Sequence, residues 1–357
     1  MDSATAHARR VVDSPGHWII AALSLTLSCR AAPTPRPDAT PLPREGVVTT
    51  DDGLRLAYRT AGQGPSIVIV PGDLFLYRDF LYAAVAGTDF TLVFYDMRNR
   101  GRSDVVGDSA QITIDHDVRD LEAVRRHVHA EQFIPVGWSY LGRMVMLYAA
   151  VHPDRVKRIV QIAPLGRRMG ATYPIQMTAN DPGPVPDSAS LRGLAQERAA
   201  GLAERDPETY CVHEWSVMRS RLVGEASHAS QVPNLCGFRN EWPTHLEPHF
   251  RHLFTSMYRT PAPTWEEFSA IRVPVLTIHG TRDRNVPYGA GREWASQLPN
   301  ARLVTVPGAG HMVWLDQPEL VFRAIETFLR GGWPAVAVVV PVAADSSAGQ
   351  VSHPAHY

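Results

Sequence analysis

Six short apolar runs restrict this chain more than any other feature. They are SIVIV at 66–70, TLVFY at 91–95, FIPV at 133–136, VKRIVQI at 156–162, VPVLTIHG at 273–280 and ARLVTV at 301–306. A strand with one wet face alternates apolar and polar residues, whereas a strand covered on both faces has no need to. The runs therefore predict buried parallel strands. Between most of them lies helical spacing: Val118, Leu121, Val124 and Val128 share one stripe of the segment 113–130, and ELVFRAIETFL at 319–329 repeats the interval. Strands alternating with helices predict an α/β fold, a mostly parallel sheet flanked by helices on both faces. Ahead of the first run, GVVTTDDGLRLAYRT at 46–60 reads as a β-hairpin about Asp52-Gly53. Asp316, three residues before Glu319, reads as the cap of the last helix.

The alternation breaks at 165–265, about 100 residues rich in proline, arginine and helical segments. A stretch of that length between two sheet strands is expected to be a cap inserted over the site. The core is then 46–164 together with 266–332. A tail at 333–357 has no helical period and is expected to be disordered. With 357 residues, 45% of them hydrophobic, the chain can bury one large core and still carry extra segments.

Residues 1–45 differ in character. Arg9 and Arg10 precede an apolar segment, Trp18 to Leu27, and Leu25-Thr26-Leu27-Ser28 leads into Cys29. This is the order of an export signal, and it resembles a bacterial lipoprotein signal with Cys29 as the lipid-bearing residue. The expected location is the periplasm or cell envelope, with a lipid anchor and a proline-rich tether. The alternative is a disordered apolar leader. In an oxidising compartment Cys211 and Cys236 form an even pair that can bridge; without export they read as two buried free thiols.

A net charge of −1, from 35 basic and 36 acidic side chains, offers no field for nucleic acid and points to a small neutral partner. Chemistry is concentrated elsewhere, in PVGWSYLGRM at 135–144. There Ser139 follows a predicted strand and opens an apolar helix, the context in which a strained turn exposes a serine hydroxyl. Gly137 precedes the serine. Two places after it stands Leu141, with Gly142 one place later, so the G-x-S-x-G pattern is degenerate. Two further residues follow at strand ends in the order serine, acid, histidine: Asp283 in GTRD and His311 in GAGH. Asp283 would hold the His311 imidazole, and His311 would take the proton from Ser139. Backbone N–H groups for a developing oxyanion are expected at Tyr140 and at Asp73, or else Leu74, in VPGDLFL.

With these motifs the chain resembles the α/β-hydrolases over residues 46–332. The matching segments are VPGDLFL, YDMRNRGRSD at 95–104, GWSYLG, GTRD and GAGH. Within that fold, DMRNRGRS and the cap are most similar to the prolyl-aminopeptidase-like branch. That branch carries His-Gly-Gly-Pro-Gly where this chain has Val70-Pro71-Gly72-Asp73-Leu74. The resemblance implies a serine hydrolase acting on a small ester or amide, and it offers Glu241 as a cap carboxylate for a substrate's amino terminus. An exposed glutamate without function is the other reading of Glu241. Dehalogenases and epoxide hydrolases of this fold carry an aspartate where Ser139 stands. Asp96, Arg98 and Ser103 read as structural turn residues. His245, His249 and His252 could face one side of a helix toward zinc, but Pro248 is expected to interrupt it, and a solvated cap surface is the preferred reading. There is neither a phosphate loop nor a dinucleotide fingerprint, so no cofactor or metal is implied. The opposing class is a non-catalytic protein that keeps the fold as a ligand pocket.

Overall fold

A computed structural model describes residues 43–72, 89–173 and 185–342. Eight strands form one sheet: β1 Glu45–Thr49, β2 Arg55–Ala61, β3 Ser66–Pro71, β4 Phe90–Tyr95, β5 Ile134–Trp138, β6 Ile159–Ile162, β7 Val275–Gly280 and β8 Ala301–Val306. Their spatial order is β1-β2-β4-β3-β5-β6-β7-β8. The hairpin β1–β2 and the pair β2–β4 are antiparallel, and every other pairing is parallel. Burial follows this division. Strands β4, β5, β6 and β7 are buried at every position, whereas β1 and β2 keep exposed residues. At the hairpin, Gly53 takes a φ of 85°, a conformation that favours a residue without Cβ.

The two-residue period of the strands divides their side chains between two cores. Ile69, Val93 and Tyr95 join one cluster with Leu121, Val124 and Val145; Val68, Val70, Leu92 and Phe94 join the other with Val321, Ile325 and Phe328. Among the helices packed on the first face are α1 Ile114–His127 and α2 Tyr140–Val151. Helix α1 starts where Thr113 accepts a hydrogen bond from His116 N–H, carries Asp115 and Asp117 in its first turn, and ends on Arg125, Arg126 and His127, as the helix dipole favours.

The insertion is helical. It holds α3 Ser188–Ala199, α4 Leu202–Arg205, α5 Pro207–Met218 and α6 Pro243–Arg259, joined by short 3₁₀ turns. Cys211 and Cys236 form a disulfide with a Cα–Cα separation of 5.7 Å, tying α5 to the segment that leads into α6. Pro248 lies inside α6 without ending it, contrary to expectation. In the second turn its ring removes a single ladder hydrogen bond, and the buried residues His249, Leu253 and Met257 hold the helix against the protein beneath. After α7 Trp265–Ser269 the chain re-enters the sheet at β7, and α8 Tyr288–Gln297, α9 Val313–Asp316 and α10 Pro318–Leu329 complete the core. Among the described residues no helix is long and apolar enough to cross a membrane.

Two further expectations are corrected. Asp316 does not cap α10, whose N-cap residue, Gln317, makes no side-chain capping bond; its Pro318 needs no acceptor. Residues 333–342, expected to lack structure, lie on the sheet edge. Leu303 and Val338 exchange two backbone hydrogen bonds of 2.9 Å, Val340 and Ala337 are buried, and the Trp333 ring lies 5.1 Å from that of Phe328. The free edge of β8 supplies donors and acceptors that a helical period could not foretell. Cys29 and residues 343–357 lie outside the described residues.

Candidate active site

At Ser139 the chain leaves β5 and enters α2 within one residue. Its φ of 60° and ψ of −128° are a strained conformation for any residue but glycine, costing roughly 1–3 kcal/mol. The turn is held by Ser139 N–H donating to Ile162 O at 2.9 Å and by Ser139 O accepting from Gly142 N–H at 3.0 Å and Leu165 N–H at 3.1 Å. Packing explains the degenerate glycine pattern. A Cβ on Gly137 would lie 2.3 Å from Leu141 O, and one on Gly142 would lie 2.8 Å from Pro164 Cβ. Leu141 fits because its Cδ1 occupies the space that a Cβ on Gly72 would reach, at 2.8 Å, and Gly72 has a φ of 79°. The glycine missing from the motif is thus replaced from β3's end. Tyr140 opens α2, so its N–H is among the first-turn amides that no intrahelical carbonyl satisfies. Asp73 and Leu74, the partners expected for it, lie outside the described residues.

The acid sits in the turn after β7. Asp283 Oδ1 accepts from the N–H groups of Asn285 and Val286, both at 2.9 Å, and Oδ2 lies 2.7 Å from His311 Nδ1. Its second neighbour, His279 Nε2 at 3.2 Å, belongs to β7 itself and went unnoticed in the sequence. The only signal there was a histidine within an otherwise apolar buried run. Burial alone would raise the pKa of Asp283, but the His311 imidazole and the hydrogen bonds from His279 and His311 hold it well below the usual carboxylate range.

His311 lies in the loop after β8 and is almost fully buried. Its carbonyl accepts from Trp138 Nε1 at 3.0 Å, and the two rings are 5.0 Å apart, so His311 packs against the residue immediately before Ser139. With Nδ1 donating to Asp283, Nε2 remains the basic nitrogen. The structure therefore joins Asp283 to His311 directly, and brings His311 to the elbow through Trp138.

Other residues singled out from the sequence have different roles. Arg98 is buried between Asp120, at 2.6 and 2.7 Å, and Asp52, at 3.1 Å. Asp96 accepts from Arg102 N–H and Nε, and Ser103 Oγ donates to Asp96 O. Glu241 is not exposed: its carboxylate accepts from Arg100 Nε and Nη2 at 2.8 and 2.6 Å and from Gly101 N–H at 2.9 Å. The histidines of α6 are not a solvated surface either. His245 Nε2 donates to Asn99 O at 2.9 Å, and His249 Nδ1 lies 3.0 Å from Asn99 Nδ2; His252 alone is exposed. Burial, then the charge of Arg100, pushes the His249 pKa down to about 2, so it is neutral. Loop 96–104 and the cap face 239–249 thus form one seam. Among the described residues no group of three or more histidines, cysteines or carboxylates is placed to hold a metal.

An elbow serine at the end of a central parallel strand, with acid and histidine on the loops after later strands, defines an α/β-hydrolase fold. The profile of that family matches residues 71–318, and the chain belongs to it. Over 284 residues the chain is 28% identical to a pimeloyl-[acyl-carrier protein] methyl ester esterase of Chromobacterium violaceum, covering 78% of this chain and 99% of that one. It is 25% identical over 203 residues to a 2-hydroxymuconate semialdehyde hydrolase of Pseudomonas putida, covering 54% and 61%. Among solved structures, a 2-hydroxy-6-oxo-6-phenylhexa-2,4-dienoate hydrolase of a Rhodococcus species superposes with a TM-score of 0.61 at 15% identity, covering 82% of this chain and all of that one. An esterase of another Rhodococcus strain gives 0.56 at 22%, covering 81% and 99%. At those identities the structural likeness establishes the fold.

Proposed function

We propose that the protein is a serine hydrolase that cleaves small carboxylic esters through an acyl-enzyme at Ser139. The observation that carries this reading is the 2.7 Å contact of Asp283 Oδ2 with His311 Nδ1, on a histidine packed beside the Ser139 elbow. His311 Nε2 takes the proton of Ser139 Oγ as that oxygen bonds to the substrate's acyl carbon. The ester C–O bond breaks, and the alcohol leaves with the proton returned by His311. A water molecule then repeats the sequence: His311 takes its proton, its oxygen bonds to the acyl carbon, and Ser139 regains its hydrogen as the acid departs. The Tyr140 N–H is suited to the oxyanion of both tetrahedral intermediates, with Asp73 N–H as its proposed partner.

Esters are preferred to amides on one ground in particular. An aminopeptidase needs a carboxylate for the substrate's ammonium group, and Glu241, the residue offered for it, is engaged by Arg100 and Gly101. The names of the relatives, an esterase and a semialdehyde hydrolase, support the same direction. The test is labelling with a fluorophosphonate probe, followed by kcat/KM on a butyryl nitrophenyl ester and a prolyl nitroanilide. Labelling of wild type but not of Ser139→Ala, with the ester turned over faster, is expected. Folded protein that resists the probe would leave a non-catalytic ligand-binding role; a faster anilide would make it an aminopeptidase.

A further inference from the structure

The carboxylate of Asp316, at the end of α9, is buried and receives four donors from two directions. Oδ2 accepts from Gly224 N–H at 2.7 Å and Gly310 N–H at 2.8 Å; Oδ1 accepts from His228 Nδ1 at 2.7 Å and Glu225 N–H at 3.3 Å. Gly224, Glu225 and His228 belong to the cap insertion, whereas Gly310 immediately precedes His311. On the other side of that histidine, Met312 N–H donates to the cap carbonyl of Leu222 at 2.7 Å. The two backbones touch with no side chain between them: a Cβ on Gly224 would lie 1.8 Å from Gly308 O, and one on Gly310 would lie 2.4 Å from Val223 C.

We propose that Asp316 is a positioning residue for His311, acting as a clamp that seats the cap segment Val223–His228 on the loop Gly308–Met312. A five-residue loop with two glycines has many backbone conformations open to it, so its own sequence does not select one. The amides on either side of His311 are instead fixed from outside, Gly310 by Asp316 and Met312 by Leu222. A carboxylate has about four acceptor positions, and here all four are used, which accounts for an aspartate that caps no helix. Seating of the cap and placement of the imidazole are thereby one event. The proposal rests on His311 being the catalytic base.

The test compares Asp316→Asn with a cap-side variant, Gly224→Ala. Asparagine presents an amide NH₂ where two donors already point, whichever way it is turned. Each variant is expected to lower kcat/KM for the nitrophenyl ester by about 10- to 100-fold with KM little changed, as displacement of a base by about 1 Å does. The double variant is expected to lose no more than the worse single one, because both open the same clamp. Should Gly224→Ala not fold, His228→Ala takes its place, with a smaller loss, and His228→Gln, which keeps a donor, restores activity. The His311 Nδ1 proton, observed by NMR, is expected to lose its downfield resonance in Asp316→Asn. That signal requires no turnover, so it tests the clamp even where Ser139→Ala stays active and the hydrolase reading itself fails. A wild-type resonance and kcat/KM in Asp316→Asn with only a lower Tm, or losses that multiply in the double variant, would overturn the proposal.

Discussion

Glu241 Oε2 lies 2.6 Å from Arg100 Nη2, an ion pair across the seam between the cap and the loop after β4. The glutamate side chain is fully buried and the arginine nearly so. In that setting the pair fastens the cap, and the carboxylate that the sequence offered to a substrate is turned toward the protein.

Glu241→Gln should accordingly destabilise the protein more than it alters ester chemistry. Removing one partner of a buried pair strands the other, at a cost of about 3–5 kcal/mol. Denaturant unfolding measures the loss. Unchanged stability, with prolyl anilide turnover selectively abolished, would return Glu241 to the substrate site.

Ser139→Ala and His311→Ala should each reduce kcat by roughly 10⁴-fold or more, since nucleophile and base act as a unit. Neither should unfold the protein. The elbow's backbone bonds to Ile162, Gly142 and Leu165 do not involve the serine hydroxyl. Steady-state kinetics on a nitrophenyl ester, with circular dichroism as the control, settles the roles; retention of a tenth of the activity by either variant would remove that residue from the mechanism.

Across mildly acid pH the Asp283 carboxyl should stay ionised, because it is held below the ordinary value. A depressed carboxylate pKa contributes stability that is present above about 3.9, the unfolded value, and is lost as pH falls through the folded one. An Asp283 carboxyl carbon that titrates above about pH 4 by NMR would contradict this.

His249 affects stability in the same sense but at higher pH. Its folded pKa of about 2 lies below the unfolded value of about 6.5, so under acid the unfolded chain takes up a proton that the folded one refuses. Stability is lost below about pH 6.5 and continues to fall toward the folded pKa. Between pH 6 and 5 the wild type should lose about 1 kcal/mol more than His249→Gln. Parallel urea midpoints for the two proteins across that interval would exclude a buried neutral histidine.

Protein isolated under oxidising conditions should show no thiol at Cys211 or Cys236 after unfolding without reductant. The bridge spans a sequence separation of 25, for which loop-closure entropy predicts on the order of 3 kcal/mol of stability. Thiol titration and the midpoint of a Cys211→Ser/Cys236→Ser variant measure both. Two titrating thiols in the oxidised preparation would rule the bridge out.

The apolar runs by themselves determined the sheet, because a strand covered on both faces leaves a local signature that needs no knowledge of its partners. TLVFY reads as buried before its neighbours are known, and it is β4, buried throughout. The positions of Ser139, Asp283 and His311 at strand ends were equally legible, since turn chemistry is local. Contacts between distant segments were not. Asp316 has a capping pattern on paper and a clamp in space, because three of its four donors come from residues 224 to 228, some 90 positions away. Glu241 reads as a surface residue until loop 96–104 closes over it. Leu141 breaks a motif until Gly72, just past the end of β3, makes room for it. Sequence patterning reports whether a position is wet or dry and how the backbone turns there; which polar groups meet in the dry interior depends on how the cap and core close together, and only the tertiary structure decides that.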